Sequence, residues 1–110
     1  MNLNIKTLSP FNKDVKRLYK KYKQLPQDLK ALNSELIKNP KVGIELGNRC
    51  YKIRLANSSI PTGKSGGFRI IYYHIDINDN LYLMTMYSKN ELDNIDDKII
   101  LEILKENGLI

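Results

Sequence analysis

Apolar residues recur at helical spacing through the first third of the chain. A helix is expected to start at Ser9-Pro10, because serine is a common helix N-cap and proline fits the first turn. Apolar positions three or four residues apart then follow at Phe11, Val15, Leu18, Tyr22 and Leu25. After Pro26 interrupts this pattern, a second stripe runs to Asn39-Pro40 and comprises Leu29, Leu32, Leu36 and Ile37. The spacing predicts two short helices joined in a hairpin, each with one apolar face to cover.

The middle of the chain changes to patterns typical of β-strands. Residues 50–56 alternate apolar with basic side chains, and residues 68–75 and 81–87 are rich in Ile, Tyr, Leu and Met. A shorter alternation over residues 4–8 predicts one more strand at the start of the chain. Asn78-Asp79-Asn80 has the composition of a tight turn, so the last two strands are predicted to pair as a hairpin.

The last part of the chain returns to helical spacing. Ile99, Ile100, Ile103 and Leu104 predict a C-terminal helix, with Asp96 and Asp97 near its start, where the helix dipole favours acidic residues. The order of elements predicts an α+β fold with a small, antiparallel-rich sheet of about four strands. The N-terminal two-helix hairpin is expected to pack on one face, followed by a short C-terminal helix. Residues 1–110 are expected to form a single domain.

Charge is distributed unevenly along the chain, whose formal net charge is +6. Residues 1–75 carry 15 Lys or Arg against 4 Asp or Glu, whereas residues 76–110 carry 3 against 8. A basic excess favours a polyanionic partner such as RNA, DNA or an anionic membrane, although lysines also keep small proteins soluble. Because the only cysteine is Cys50 and no apolar run could span a bilayer, we expect a cytoplasmic protein without a disulfide or a membrane partner.

The segment TGKSGGFR, residues 62–69, fits two enzyme motifs only in part. A nucleotide-binding P-loop requires a glycine where Ser58 stands and a helix after Lys-Ser, whereas a strand is predicted here. A G-x-S-x-G nucleophile elbow requires a strand-to-helix turn, but Ser65 lies between two predicted strands. We therefore interpret Gly66-Gly67 as a point of sharp bending or close approach. Lys64, at the tip of this loop, is a candidate for substrate binding.

Four basic residues are predicted to converge on one face of the sheet. Strand alternation puts Lys52 and Arg54 on the same side of their strand. Arg69 lies just inside the next strand, with Tyr73 on its side four residues further on, and Lys89 ends the last strand. If these strands are adjacent, the four cations surround one groove suited to a phosphodiester, and Tyr73 is a further candidate for substrate binding.

The remaining residues favour a reaction without a metal ion or another cofactor. The basic part of the chain contains only four carboxylates, spread over predicted helices and a loop, so the sequence shows no metal site. His74 is the only histidine, which excludes a mechanism with two imidazoles. RNA can supply its own nucleophile, because a 2′-hydroxyl attacks the adjacent phosphate while cations stabilise the transition state. Lys52, Arg54, Arg69 and Lys89 are the candidates for that catalytic role.

Three stretches, taken in order, resemble the RelE/HigB family of bacterial type II toxins. They are CYKIRLA at residues 50–56, GKSGGFRIIYY at 63–73 and YSKNELDNI at 87–95, and a predicted two-helix hairpin precedes them. The loop GKSGG-x-R followed by Y-x-KNE is similar to the HigB branch in particular. The resemblance covers most of the chain and implies a RelE/ParE-like fold.

This resemblance implies an mRNA endonuclease that cuts codons in the ribosomal A site, with a metal-free active site on the concave face of the sheet. It implies mRNA and the ribosome with its rRNA as partners, and a cognate antitoxin that carries a DNA-binding helix-turn-helix. Lys52, Arg54 and Arg69 match basic catalytic positions of the family, and Lys89 lies beside another. The chain departs from RelE proper at Arg54 and Asn90, where RelE has lysine and arginine, and it lacks a late tyrosine.

Two other functions stay open from the sequence. ParE-like members of the same superfamily inhibit DNA gyrase instead of cutting RNA, although a gyrase inhibitor has no need of convergent catalytic cations. A plain RNA-binding module would bind phosphates through the lysines of residues 13–23 and stack Tyr72 or Tyr73 on bases. The C-terminal stripe of Ile99, Ile103 and Leu104 is interpreted as core packing, with an antitoxin surface as the alternative.

Overall fold

A five-stranded sheet forms the centre of the computed structural model, which describes residues 3–61, 66–75 and 77–110. The strands lie in the spatial order β1-β5-β4-β3-β2. They are β1 (Asn4–Thr7), β2 (Ile44–Gly47), β3 (Cys50–Leu55), β4 (Phe68–Ile75) and β5 (Asn80–Ser88). β1 runs parallel to β5, and each of the other neighbouring pairs is antiparallel. The predicted α+β fold with an antiparallel-rich sheet is thus confirmed.

Helices in the described residues cover both faces of this sheet. They are α1 (Ser9–Tyr19), α2 (Leu25–Lys38) and α3 (Asp97–Glu106). Leu18 of α1 and Leu32 of α2 share a core cluster with Ile70. Ile103 and Leu104 of α3 lie in a second cluster with Ile71. Because adjacent strand residues point to opposite faces, the helical hairpin and α3 lie on opposite sides of β4. The interpretation of the C-terminal stripe as core packing is confirmed for Ile103 and Leu104, whereas Ile99 is exposed.

Two details of the helical hairpin differ from the prediction. The first helix was expected to continue towards Leu25, but α1 ends at Tyr19 and Leu25 begins α2. Pro26 therefore lies in the first turn of α2, where the missing N–H costs nothing, because the first N–H groups of a helix have no partner within it. Ile37, predicted in the apolar stripe, is exposed, since it follows the buried Leu36 on the helix surface.

β2 is a strand that the sequence pattern did not predict. Its residues are all exposed, and it lies at one edge of the sheet. The four residues Ile44–Gly47 are too few for an alternating pattern to distinguish a strand from a loop. β2 pairs with β3, with Ile44 opposite Lys52 and an irregularity between Glu45 and Gly47. It therefore borders the face on which the predicted cations lie.

A carboxylate on α1 caps the opposite edge of the sheet. β1 pairs only with residues 80–83 of β5, so the rest of β5 has no neighbouring strand on that side among the described residues. Asp14 accepts hydrogen bonds there from the Met86 N–H at 2.9 Å and from the Thr85 hydroxyl at 2.6 Å. Arg17 forms a salt bridge with Asp14 at 3.1 Å. Asp14 thus attaches α1 to the sheet and satisfies a strand edge that would otherwise be open.

A buried tyrosine attaches the segment before β2 to the sheet. The Tyr72 hydroxyl donates a hydrogen bond to the Pro40 carbonyl at 2.7 Å and accepts one from the Gly43 N–H at 3.1 Å. The ring stacks on Tyr51, with centroids 5.2 Å apart. Burial raises the pKa of Tyr72 to about 12, so the phenol stays neutral at physiological pH. Tyr72 therefore fixes the path by which the chain enters β2.

We expect the variant Tyr72→Phe to have a free energy of unfolding lower by about 1–3 kcal/mol, because the Gly43 N–H and the Pro40 carbonyl lose their partner. Since the pKa of Tyr72 rises on folding from its ordinary value of 10.0, the residue adds stability below pH 10 and loses this contribution as the pH rises through about 12. Urea denaturation at several pH values measures both effects. The exposed Tyr19, changed to phenylalanine, is the matched control, and equal stability of Tyr72→Phe and the unmodified protein at neutral pH would contradict the prediction.

Candidate active site

The predicted cations lie side by side on neighbouring strands. Arg54 of β3 is directly opposite Arg69 of β4, and Arg69 is directly opposite Tyr87 of β5. Directly opposed residues point to the same face of a sheet, so these side chains form a row across three strands. Lys52 lies two residues before Arg54 and shares its face. This is also the face that α3 covers, with its Ile100, Ile103 and Leu104 in one core cluster with Ile71.

A cavity of about 610 Å³ lies against this row. β3 and β4 contribute Lys52, Ile53, Arg54 and Arg69 to its lining. The segment after β5 contributes Lys89, Asp93 and Asn94. The remaining lining residues belong to α2, β2 and the segment between them, and they are Glu35, Val42, Gly43 and Ile44. The structure thus brings together the four residues predicted to be catalytic. Two strands and the segment that follows a third supply them, so the cavity depends on the assembled sheet.

Arg69 is the most buried of the four cations. Only 6% of its surface is exposed, and its Nη1 donates a hydrogen bond to the Gly67 carbonyl at 3.3 Å. Burial lowers the pKa of Arg69 from the ordinary arginine value, and the positive charge of Arg54 lowers it further. A guanidinium nevertheless stays charged at neutral pH. Because two fixed positive charges repel each other, an anion that binds between Arg54 and Arg69 relieves that repulsion.

Side chains of the segment after β5 hold the two lysines. Lys52 Nζ donates a hydrogen bond to Asn94 Oδ1 at 3.0 Å. Lys89 Nζ lies 3.3 Å from Asp93 Oδ1, but Asp93 is largely exposed, so this ion pair is weak. The main chain of Lys89 is held more firmly, because its N–H donates to the Gly67 carbonyl at 3.0 Å. Both lysines can exchange these side-chain partners for a phosphate without a change in the sheet.

Gly67 brings two stretches of backbone into close contact beside Arg69. A Cβ atom at this position would lie 2.1 Å from the Leu55 carbonyl oxygen and 3.1 Å from the Asn57 nitrogen. No side chain fits at such a distance. The Gly67 carbonyl accepts from both Arg69 and the Lys89 main chain, so this close approach also positions two of the cations. The interpretation of Gly67 as a point of close approach is confirmed.

Tyr73, one of the two residues predicted to bind substrate, does not line this cavity. Tyr73 is buried, and its hydroxyl donates to the Leu109 carbonyl at 3.3 Å. It shares the sheet face of Arg69, but it lies four residues along β4, where α3 and the following residues cover the face. Tyr73 therefore belongs to the packing beneath α3, which corrects the prediction made from strand alternation. Lys64 lies outside the described residues.

Several residues of the cavity were missed in the sequence. Glu35 lies on α2, Ile44 on the unpredicted edge strand, and Asp93 and Asn94 in an irregular segment. No periodic pattern in the sequence identifies such residues as part of a site, because their positions depend on how separate elements pack. Asp93 and Asn94 are close in sequence to Lys89, within the stretch YSKNELDNI, and this proximity was the one available signal.

Other reactive side chains are buried away from the cationic cavity. Burial raises the pKa of the Cys50 thiol to about 11, so the thiol stays protonated at neutral pH. Cys50 and the buried His74 border a smaller cavity of about 270 Å³ near the turn between β2 and β3. Within residues 3–61, 66–75 and 77–110, no three His, Cys, Asp or Glu side chains are grouped so that they could hold a metal ion. The helices of the same residues are too short or too polar to cross a membrane.

The fold is similar to that of solved bacterial toxin structures, although the sequence matches no protein-family model. A doubly substituted mutant of the Escherichia coli toxin RelE in the free state has a TM-score of 0.57 and 19% identity, over 84% of this chain and 90% of that one. The isolated E. coli RelE toxin has a TM-score of 0.56 and 18% identity, over 96% and 98%. A chain of the intact E. coli RelBE toxin–antitoxin complex has a TM-score of 0.56 and 20% identity, over 77% and 94%. The protein thus has the RelE-like fold that the resemblance implied, whereas its assignment to the HigB branch stays a prediction.

Proposed function

We propose that the protein is the toxin of a type II toxin–antitoxin system and that it cleaves mRNA in the A site of the ribosome. The observation that carries this proposal is the single cavity lined by Lys52, Arg54, Arg69 and Lys89. Fixed cations from separate strands suit the anionic non-bridging oxygens of a phosphodiester better than they suit an uncharged ligand. The RelE-like fold supports the same function, since the similar solved chains are described as toxins.

The proposed reaction is a transesterification within the RNA backbone. The 2′-oxygen of one nucleotide forms a bond to the adjacent phosphorus, and the bond from that phosphorus to the 5′-oxygen of the next nucleotide breaks. The attacking hydroxyl loses a proton, the leaving oxygen gains one, and the products end in a 2′,3′-cyclic phosphate and a 5′-hydroxyl. Negative charge accumulates on the phosphoryl oxygens in between, and cations that are already in place stabilise it without reorganisation.

The position of each cation suggests its role. Arg54 and Arg69 lie opposite each other, and their guanidinium groups can donate paired hydrogen bonds to the non-bridging oxygens. Neither arginine can accept a proton, so proton transfer falls to the lysines, of which the neutral amine form can accept a proton and the ammonium form can donate one. We assign Lys52 on β3 to the attacking 2′-oxygen and Lys89, beyond the end of β5, to the leaving 5′-oxygen.

The proposal includes a cognate antitoxin with a DNA-binding helix-turn-helix, in addition to mRNA and the ribosome. One of the similar solved structures is an intact toxin–antitoxin complex, which supports the first of these partners. The lysine-rich stretch over residues 13–23 suits contact with the phosphates of ribosomal RNA. Of the predicted C-terminal stripe, Ile99 is exposed while Ile103 and Leu104 are buried, so the stripe offers a partner little apolar surface.

Two alternatives have weaker support. A ParE-like gyrase inhibitor would not require four cations around one cavity. A plain RNA-binding module would stack Tyr72 or Tyr73 on bases, but both rings are buried and both hydroxyls are bonded to main-chain carbonyls. Inhibition of DNA supercoiling by the pure protein, with transcripts left intact, would favour a gyrase inhibitor over an mRNA endonuclease.

Primer extension on transcripts from cells, after brief induction of the protein, tests the proposed function. We expect new 5′ ends inside codons of translated messages, and no such ends in a reporter whose start codon has been removed. Purified protein should produce the same ends on ribosomes programmed with that message. Equal cutting of translated and untranslated RNA would contradict action in the A site, and intact transcripts in both assays would contradict the nuclease itself.

A further inference from the structure

A second cavity shares a wall with the cationic cavity. Its volume is about 390 Å³, and Lys52 and Asn94 line both cavities. The side chains that belong to the second cavity alone are Leu46, Ile71, Ile95, Asp97 and Ile100. Four of these five are aliphatic, whereas the first cavity contains four cations. A ligand that extends from one cavity into the other therefore has charged surroundings on one side of Lys52 and Asn94 and mostly apolar surroundings on the other.

Aliphatic side chains also continue along β2 from the first cavity to the second. Val42 and Ile44 border the cationic cavity, and Leu46 borders the apolar one. Val42 lies just before β2 and the other two lie on it, and the three side chains are 40%, 61% and 40% exposed, so each presents apolar surface to solvent. Ile44 is directly opposite Lys52 in the β2–β3 ladder, which puts Ile44 beside the cations and on their face of the sheet.

This arrangement matches the chemistry of a nucleotide. A nucleotide joins an anionic phosphate, which cations bind, to a flat base, whose faces bind apolar surface. We propose that the second cavity binds one base of the RNA whose phosphodiester lies in the cationic cavity, with the base faces against Leu46, Ile95 and Ile100. The proposal rests on the proposed function, because it requires an RNA backbone along Lys52 and Arg54.

The shared wall indicates which base this is. Lys52 is the cation common to both cavities and is the one assigned to the attacking 2′-oxygen. The base in the second cavity is therefore that of the nucleotide on the 5′ side of the cut, which carries this 2′-oxygen. Lys52 and Asn94, which line both cavities, form the boundary between the phosphate and base sites.

Asp97 gives the base site a preference for guanine. A carboxylate only accepts hydrogen bonds, and guanine presents two adjacent N–H donors on its pairing edge. Uracil presents one N–H between two carbonyl oxygens, which a carboxylate repels. Asp97 is not needed to cap α3, because Asp96 does so by accepting from the Lys98 N–H at 3.0 Å. Asp97 lines the second cavity, so its carboxylate can accept hydrogen bonds from a base bound there.

Binding of oligouridylates with a single variable base tests this inference. Every nucleotide of the strand carries 2′-deoxyribose, so that no cleavage occurs, and fluorescence anisotropy of a labelled strand gives the affinity for the full-length protein. We expect guanine at this position to bind about tenfold more tightly than uracil. Asp97→Asn should reduce this ratio to below about twofold without weakening the all-uracil strand. Glu102→Gln removes an exposed carboxylate from the same helix and should leave the ratio unchanged.

Two further variants separate the base site from the phosphate site. Leu46→Ala, on an exposed edge strand, should weaken the guanine strand about fivefold while a strand with an abasic residue at the variable position binds as before. Arg69→Ala should weaken all strands alike and leave the guanine ratio intact. Equal binding of all bases, with Arg69→Ala still weakening each, would overturn the base site and leave the proposed function standing. No effect of Arg69→Ala on any strand would contradict the proposed function as well.

Discussion

The variant Arg69→Ala should cleave mRNA about a hundredfold to a thousandfold more slowly than the unmodified protein, which is the usual effect of removing one fixed charge donor from a transition state. Arg69 is buried, lies opposite Arg54 and is held by the Gly67 carbonyl, so its charge is fixed in the cavity before substrate binds. Induction of the variant should no longer arrest growth. Single-turnover cleavage on programmed ribosomes measures the rate directly.

Stability measurements separate a loss of function from a loss of fold. Arg69→Met keeps much of the side-chain volume and removes the repulsion with Arg54, so it should unfold at the same or a higher urea concentration while cleaving as slowly as Arg69→Ala. Lys98→Ala removes an exposed cation on α3 and should change neither property. Undiminished cleavage by both Arg69 variants would refute the assigned role.

The variant Gly67→Ala should lose more than about 3 kcal/mol of folding free energy, because the added methyl group meets backbone rather than a flexible side chain. Its Cβ would lie 2.1 Å from the Leu55 carbonyl oxygen. The clash is relieved only if β3 and β4 separate at the end where Arg54 and Arg69 face each other. Cleavage should therefore fall even under conditions in which the variant stays folded, as urea denaturation and the ribosome assay together will measure.

Gly47→Ala is the matched control for this steric effect. Gly47 has a φ of +91°, which disfavours other residues, but no atom lies within 4 Å of its added Cβ. The substitution should thus cost about 1 kcal/mol in conformational strain and leave cleavage unchanged. Equal losses of stability in the two glycine variants would contradict the steric explanation for Gly67.

The regular elements were predictable because burial imposes a period on the sequence. Leu18 and Leu32 recur with their neighbours at helical spacing since each helix has one face on the sheet. β4 and β5 show apolar runs because both of their faces are covered over much of their length, whereas β3 alternates because its cationic face is only partly covered. β2 was not predicted because all of its residues are exposed, and burial therefore imposes no hydrophobic pattern on this edge strand.

The cationic part of the site was predictable for the same geometric reason, whereas its surroundings were not. Alternation alone puts Lys52 and Arg54 on one face, and adjacency of β3 and β4 adds Arg69. Alternation also put Tyr73 on the correct face of the sheet. Alternation does not indicate which part of that face a helix covers, and α3 covers the part that contains Tyr73. Asn94 reaches Lys52 only through the path of an irregular segment, which no local pattern specifies.

The parallel pairing of β1 with β5 sets the order in which a newly synthesised chain can fold. Asn4 pairs with Asn80 and Thr7 with Leu83, so the five-stranded sheet is complete only when residues 76 positions apart in the sequence come together. Contacts between residues so distant in sequence make folding slow. The cavity also needs Asn94, which is translated about 2–8 s after Leu55 at ordinary elongation rates. A nascent chain therefore carries no assembled cavity while most of it is being made.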